Sequence, residues 1–268
     1  MASPNVGGSD QPEPVRRSLQ ALLWDVDGTL AETERDGHRR AFNRAFRDAG
    51  VPLHWDREHY GTLLAISGGR ERIGAALSEL RGGVAPGPAE LEALQTAKQR
   101  HYAALVEGGE LRLRPGVAAL ITAAAQAGLR QAIVTTSGRP AVAALARCCL
   151  GPLADALELW VCGDDVGRKK PDPQGYQLAL QRLGLPAGVA LALEDSGNGL
   201  RAALGAGMTC VITLSHYGSR EPEAAFAGAS AVVDSLGPAG AVLKGPACGA
   251  AGVTLSYLQQ LQATLARS

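Results

Sequence analysis

The chain is 268 residues long, enough to bury a substantial core in one or two domains. Its 26 lysines and arginines balance 26 aspartates and glutamates, so no field of either sign points to nucleic acid or to an anionic membrane surface. Arg, Gly or Pro cuts every apolar run well before the roughly 18 residues a membrane span needs, and no signal-peptide core precedes the first motif. The five cysteines (Cys148, Cys149, Cys162, Cys210, Cys248) form no C-x-x-C pair. An odd set without a pairing pattern reads as reduced thiols, so a cytoplasmic globular protein is expected.

Met1 to Arg17 is polar and rich in Gly, Pro and Ser, the composition of a disordered segment. An apolar run, Leu22-Leu23-Trp24, then ends in Asp25-Val26-Asp27-Gly28-Thr29 and reads as a buried strand with carboxylates where it leaves the sheet. A period of two puts Asp25 and Asp27 on one side of an extended chain, while Gly28 permits a turn. Close carboxylates repel unless a proton or a cation lies between them, and a divalent ion resolves the repulsion. The plainer alternative is an Asp-Gly turn with Asp25 as its cap.

His38 to Ala49 places Ala41, Phe42, Ala45, Phe46 and Ala49 on one helical stripe, stopped by Gly50 and Pro52. Helices are also predicted over 56–64, 71–80 and 88–106, the last with Leu91, Leu94, Tyr102 and Leu105 inward, and no strand pattern occurs between Glu34 and Glu107. Trp24 and Trp55 read as packing. From Arg114 the texture changes to helix 117–127, strand 131–136, helix 141–149, strand 157–162, helix 173–183, strand 189–193, helix 199–206 and strand 209–214, with an edge strand at 231–233. Such alternation marks a parallel sheet covered by helices on both faces. The expected fold is α/β: a Rossmann-like core of residues 18–32 and 113–268, with an all-helical four-helix cap, residues 33–112, inserted after the first strand. A Gly/Pro-rich link (Gly237 to Gly252) and an amphipathic helix using Val253, Leu258, Leu261 and Leu265 close the chain.

Each remaining motif falls at the carboxyl end of a different strand, where open parallel sheets bind ligands. Thr135-Thr136-Ser137-Gly138-Arg139 offers hydroxyls and successive N–H groups at a helix start, suited to an anionic oxygen or simply to an N-cap. Lys170 precedes Pro171, which biases it to an extended form and aims a point charge at a fixed spot; a basic loop tip is the alternative. Glu194-Asp195-Ser196-Gly197 follows an apolar run, and its acids can hold a hard cation or open a helix.

In this order the four motifs resemble the haloacid dehalogenase superfamily of phosphate-transferring hydrolases. The resemblance implies that Asp25 is a nucleophile toward phosphorus and that Asp27 is the general acid–base. It implies Mg²⁺ held by Asp25, Asp27 and Asp195 with Glu194 as ligand or neighbour, and Thr135 and Lys170 neutralising the phosphoryl group. A narrower likeness lies in the Asp25–Glu34 segment, His38-Arg39-Arg40-Ala41-Phe42, Trp55–Tyr60 and Ser67-Gly68-Gly69-Arg70-Glu71-Arg72. These are similar to the CbbY-type phosphatases, which act on xylulose 1,5-bisphosphate and share the architecture of β-phosphoglucomutase. Here Arg70 replaces the usual Lys, and there is one additional residue around Arg35-Asp36-Gly37. The likeness makes Arg70, Arg72 and Arg139 the cations for a second phosphate, and Glu34, His38 and Tyr60 partners of sugar hydroxyls, beside Thr136 and Ser137. A monomeric enzyme on a small sugar phosphate is expected; a phosphomutase and a non-catalytic binding relative are the alternatives.

Overall fold

A computed structural model describes residues 18–238 and 240–265, so the expected disordered segment 1–17 lies outside the described residues. Seven strands form one sheet in the order β3-β2-β1-β4-β5-β6-β7. They are β1 (Ala21–Trp24), β2 (Arg130–Val134), β3 (Leu159–Val161), β4 (Ala190–Glu194), β5 (Thr209–Thr213), β6 (Ala231–Val233) and β7 (Val242–Lys244). All neighbours run parallel except β6 and β7. The expected edge strand at 231–233 is therefore internal. Three residues of the Gly/Pro-rich link pair with it in the antiparallel sense, too short a run to show any alternation in sequence.

β1 is central, and its period of two feeds both faces. Leu22 and Trp24 pack with α5 (Val117–Gln126), α6 (Arg139–Leu145) and α9 (Leu255–Leu265). Ala21 and Leu23 pack on the other side with α7 (Gln174–Leu183) and α8 (Gly197–Gly205). The strand is thus buried on both sides, as its unbroken apolar run requires.

Between β1 and α5 the chain makes α1 (Arg39–Asp48), α2 (Arg57–Leu63), α3 (Gly69–Leu80) and α4 (Pro88–Glu107). Phe42, Phe46, Trp55, Tyr60, Ile73, Leu77 and Leu94 form the core of this helical segment. Trp55 meets the Phe46 ring edge-on with centroids 4.8 Å apart, and Asn43 clamps its main chain with two 2.8 Å hydrogen bonds. Truncating a ring packed this way costs about 3–5 kcal/mol. Asp56 caps α2 by accepting from His59 N at 2.7 Å.

The two connectors run side by side, with Ala31 bridged antiparallel to Leu113. Arg114 secures them to the sheet by donating to the carbonyls of Thr213 (3.0 Å), Leu214 (2.6 Å) and Gly28. Ahead of α1, Glu34–His38 is a π turn. It is wider than an α turn and accommodates the additional residue noted in the sequence. Among the described residues no helix is long and apolar enough to cross a membrane, and all five cysteines are free.

Candidate active site

Sheet register brings the acids together. Trp24 lies opposite Leu193, so the next residues, Asp25 and Glu194, leave adjacent strands side by side. The Asp25 amide donates to the Leu193 carbonyl at 3.0 Å. Gly28, at φ +95°, turns the chain so that Asp27 swings back over the strand ends. A Cβ on Gly28 would lie 2.6 Å from the Asp195 Cγ, and one on Gly199 would overlap the Glu194 carboxylate. Both glycines leave room for acids.

Lys170 reaches in from the loop between β3 and α7. Its Nζ donates to Asp25 Oδ1 at 2.7 Å, Glu194 Oε1 at 2.5 Å and the Val134 carbonyl at 2.7 Å. The Tyr176 hydroxyl donates to Glu194 Oε1 at 2.6 Å. Asp25, Glu194 and Asp195 each offer an oxygen within 4.8 Å of the others, and all three are buried.

Burial raises the Asp25 carboxyl to about 8, with the Glu194 and Asp27 charges adding to the shift and Lys170 opposing it. Burial also pushes Asp195 well above the carboxylate range, reinforced by Asp25 and Glu194. Burial would lower Lys170, yet Asp25 and Glu194 outweigh it and hold the ammonium above its ordinary range. One ammonium among three buried acids leaves the cluster short of positive charge. Its all-oxygen donor set fits a hard divalent cation.

Asp27 is treated differently. Its Oδ1 accepts from Thr33 Oγ1 at 2.5 Å and meets His38 Nε2 at 2.8 Å. Its Oδ2 accepts from Ser137 Oγ at 2.6 Å and Thr135 Oγ1 at 3.4 Å. Burial alone would raise this carboxyl, but the charge of His38 and hydrogen bonds from His38, Ser137 and Thr33 hold it below its usual range. The π turn is what lets His38 reach, and its ring stacks on Tyr102 with centroids 4.1 Å apart.

On the helical side, Glu34, Tyr60 and Arg72 come together. Arg72 pairs with Glu34 Oε1 at 3.2 Å and donates to the Tyr60 hydroxyl at 2.5 Å, and that hydroxyl donates to Glu34. Burial would raise Glu34, but Arg72 outweighs it and holds the acid low. A cleft of about 310 Å³ is lined by Asp25, Asp27, Lys170 and Asp195 below, Glu34 and Arg72 above, and Thr136 at one side.

Two expected cations are not brought to this cleft. Arg70 pairs with Glu92 on the outer face, because two positions before the buried Arg72 is nearly the opposite side of a helix. Arg139 is half exposed and donates to Asp165 at 2.7 Å and to the Trp160 carbonyl at 3.2 Å. Conversely, sequence reasoning passed over Thr33 and Lys98. Lys98 is buried over the Phe42 and Tyr102 rings (4.9 and 5.4 Å) and lines a small recess with Glu34, His38, Thr136 and Ser137. Its signal was readable: it lies four residues after Leu94 and four before Tyr102, on the apolar stripe of α4.

Comparison with known proteins agrees with this geometry. The haloacid dehalogenase-like hydrolase family matches residues 19–207. Protein CbbY of Cereibacter sphaeroides is 47% identical over 223 residues, spanning 83% of this chain and 94% of that protein. The crystal structure of CbbY from Rhodobacter sphaeroides in complex with phosphate superposes with a TM-score of 0.74 at 47% identity, covering 81% of this chain and 94% of that one. A mutant of that protein in complex with xylulose 1,5-bisphosphate gives the same TM-score at 46% identity and the same coverage. The chain belongs to the haloacid dehalogenase-like hydrolases and is an enzyme similar to the CbbY proteins.

Proposed function

We propose that the chain is a Mg²⁺-dependent phosphatase that removes one phosphate from a small sugar bisphosphate, xylulose 1,5-bisphosphate being the substrate suggested by the complex of its relative. The observation that carries this reading is the placement of Lys170 Nζ between Asp25 and Glu194, in a cleft that Asp27 and Asp195 also line. Phosphoryl transfer asks mainly for in-line positioning and neutralised charge, to which Lys170 and a bound cation would both contribute.

Asp25 attacks phosphorus through a carboxylate oxygen, and the ester P–O bond breaks as the sugar oxygen takes a proton from Asp27. Asp27 then accepts a proton from water, whose oxygen attacks the aspartyl-phosphate; the P–O bond to Asp25 breaks and phosphate leaves. In the present arrangement Asp27 is held ionised, which suits the second half. For the first half the His38 Nε2 contact is the path by which a proton reaches it. Lys170 Nζ binds a phosphoryl oxygen, and the Thr135 hydroxyl, 3.4 Å from Asp27 Oδ2, takes the same role by family likeness. When bound, Mg²⁺ would be held by the Asp25 carboxylate, the Asp27 carbonyl and Asp195, with Glu194 beside them, and would neutralise developing charge on the phosphoryl oxygens.

Residues 33–112 act as a cap whose closure excludes water. Glu34 and Arg72 form its roof with Tyr60 buried behind them, and Thr136 lines the wall while Ser137 is held against Asp27. A panel of sugar mono- and bisphosphates, assayed for released inorganic phosphate with Mg²⁺ and with a chelator, tests the reading. Release from xylulose 1,5-bisphosphate that stops with chelator and returns with Mg²⁺ is expected. Isomerised sugar phosphate without release would make the chain a mutase instead, and no turnover of any member would overturn both.

A further inference from the structure

One ion pair crosses from the helical segment to the loop that carries Lys170. Lys169 Nζ lies 2.5 Å from Glu71 Oε1, in the first turn of α3. The turn into α3 brings its backbone against the pair. Gly68, immediately before α3, has φ +97°, and a Cβ there would lie 2.7 Å from both the Glu71 Cδ and the Lys169 Nζ. Those atoms are the ends of flexible side chains, so the firmer constraint is the backbone itself: the positive φ, which glycine takes without strain, sets how the chain enters α3 beside Lys169.

Resting on the phosphatase reading, we propose that Glu71 and Lys169 are positioning residues: together they set where α3 sits over the site and so couple cap placement to the catalytic lysine. Their chain neighbours make the coupling direct. Next to Lys169 is Lys170, which bridges Asp25 and Glu194. Next to Glu71 is Arg72, which holds Glu34 and Tyr60 and lines the same cleft as Lys170. Sliding α3 along the loop therefore moves the roof cation relative to the floor cation. The Glu71 and Lys169 side chains are 44% and 22% exposed, so the pair is a trimming device rather than a source of stability. The other pair between α2 and the core, Glu58 with Arg220 at 2.6 Å, is more exposed and borders no member of the carboxylate cluster; it serves as the control.

The test uses the full chain with Glu71→Gln, Lys169→Met, the charge swap Glu71→Lys with Lys169→Glu, and Glu58→Gln. Phosphate release is read as kcat and KM, and amide hydrogen exchange is followed over residues 69–80. Each single variant at the latch is expected to lower kcat/KM by about two- to five-fold, the range of an exposed ion pair, with Tm unchanged. The swap restores most of the loss, high salt mimics Glu71→Gln in the unaltered chain, and Glu58→Gln matches that chain. Exchange over α3 quickens in the single variants and recovers in the swap. Single variants indistinguishable from the unaltered chain, or a swap no better than they are, overturn the proposal. If the unaltered chain releases no phosphate, the functional reading fails, while the exchange pattern still decides whether the pair couples the two parts.

Discussion

Two buried polar clusters face each other across the cleft, and they are built on opposite principles. On the helical side the Glu34 carboxylate has one guanidinium, Arg72, and one hydroxyl, Tyr60. Its charges cancel within the protein. At the strand ends Asp25 and Glu194 share the ammonium of Lys170, with Asp195 beside them, and burial drives Asp25 up to about 8. A balanced buried cluster is scaffold; an unbalanced one invites a counter-charge from outside, here a cation and then a phosphoryl group. The contrast teaches that charge excess, more than the presence of charged residues, marks the chemistry.

The comparison breaks most visibly at Lys170. Lys170→Met removes the cation bonded to Asp25 and Glu194 and is expected to lower phosphate release about 10²- to 10³-fold and stability by about 3–5 kcal/mol in a urea titration. Added Mg²⁺ should return part of that stability, because a ligand bound only by the folded state stabilises by mass action. Arg72→Met removes the cation of the balanced cluster. It should cost about 3 kcal/mol by stranding Glu34, with no recovery on adding Mg²⁺. Equal rescue of both variants would erase the distinction drawn here.

Lys98 sharpens it further. Burial lowers its ammonium to about 8, against the pull of Glu34 and Asp27. The unfolded chain then binds more protons than the folded one between about pH 8 and 10, so stability rises with pH across that window and Lys98 is a cost below it. Lys98→Met should raise stability at pH 7 by up to ~3 kcal/mol, the gain shrinking towards pH 10. A gain independent of pH would contradict the assignment. The smallest effect is expected at Arg70, whose pair with Glu92 is exposed. Arg70→Ala should change stability by less than about 0.5 kcal/mol and leave kcat/KM unaltered.

Most of the fold was legible because β1, β2, β4 and β5 are largely apolar runs, the first three with motifs at their ends. The core residues share the reason: each ends its strand or follows it directly, so placing the strand places Asp25, Thr135 and Glu194. Lys170 could be placed because Pro171 begins the turn into α7. The helical side resisted. Whether an arginine at position 70 or 72 faces the cleft depends on helix phase, and the glycines ahead of α3 leave that phase open to a residue either way. His38 depended on a π turn, whose i to i+5 spacing has no apolar signature in five polar residues. β7 is three residues long and paired through its main chain, which side-chain pattern does not report.

The proposed chemistry turns on Asp25 as the residue whose oxygen bonds to phosphorus. Rapid acid quench of the enzyme turning over substrate with Mg²⁺, followed by peptide mass spectrometry, should place a phosphoryl group on the peptide containing Asp25, and Asp25→Asn should show neither that adduct nor phosphate release. A phosphoryl group on any other residue, or steady release from Asp25→Asn, would contradict it.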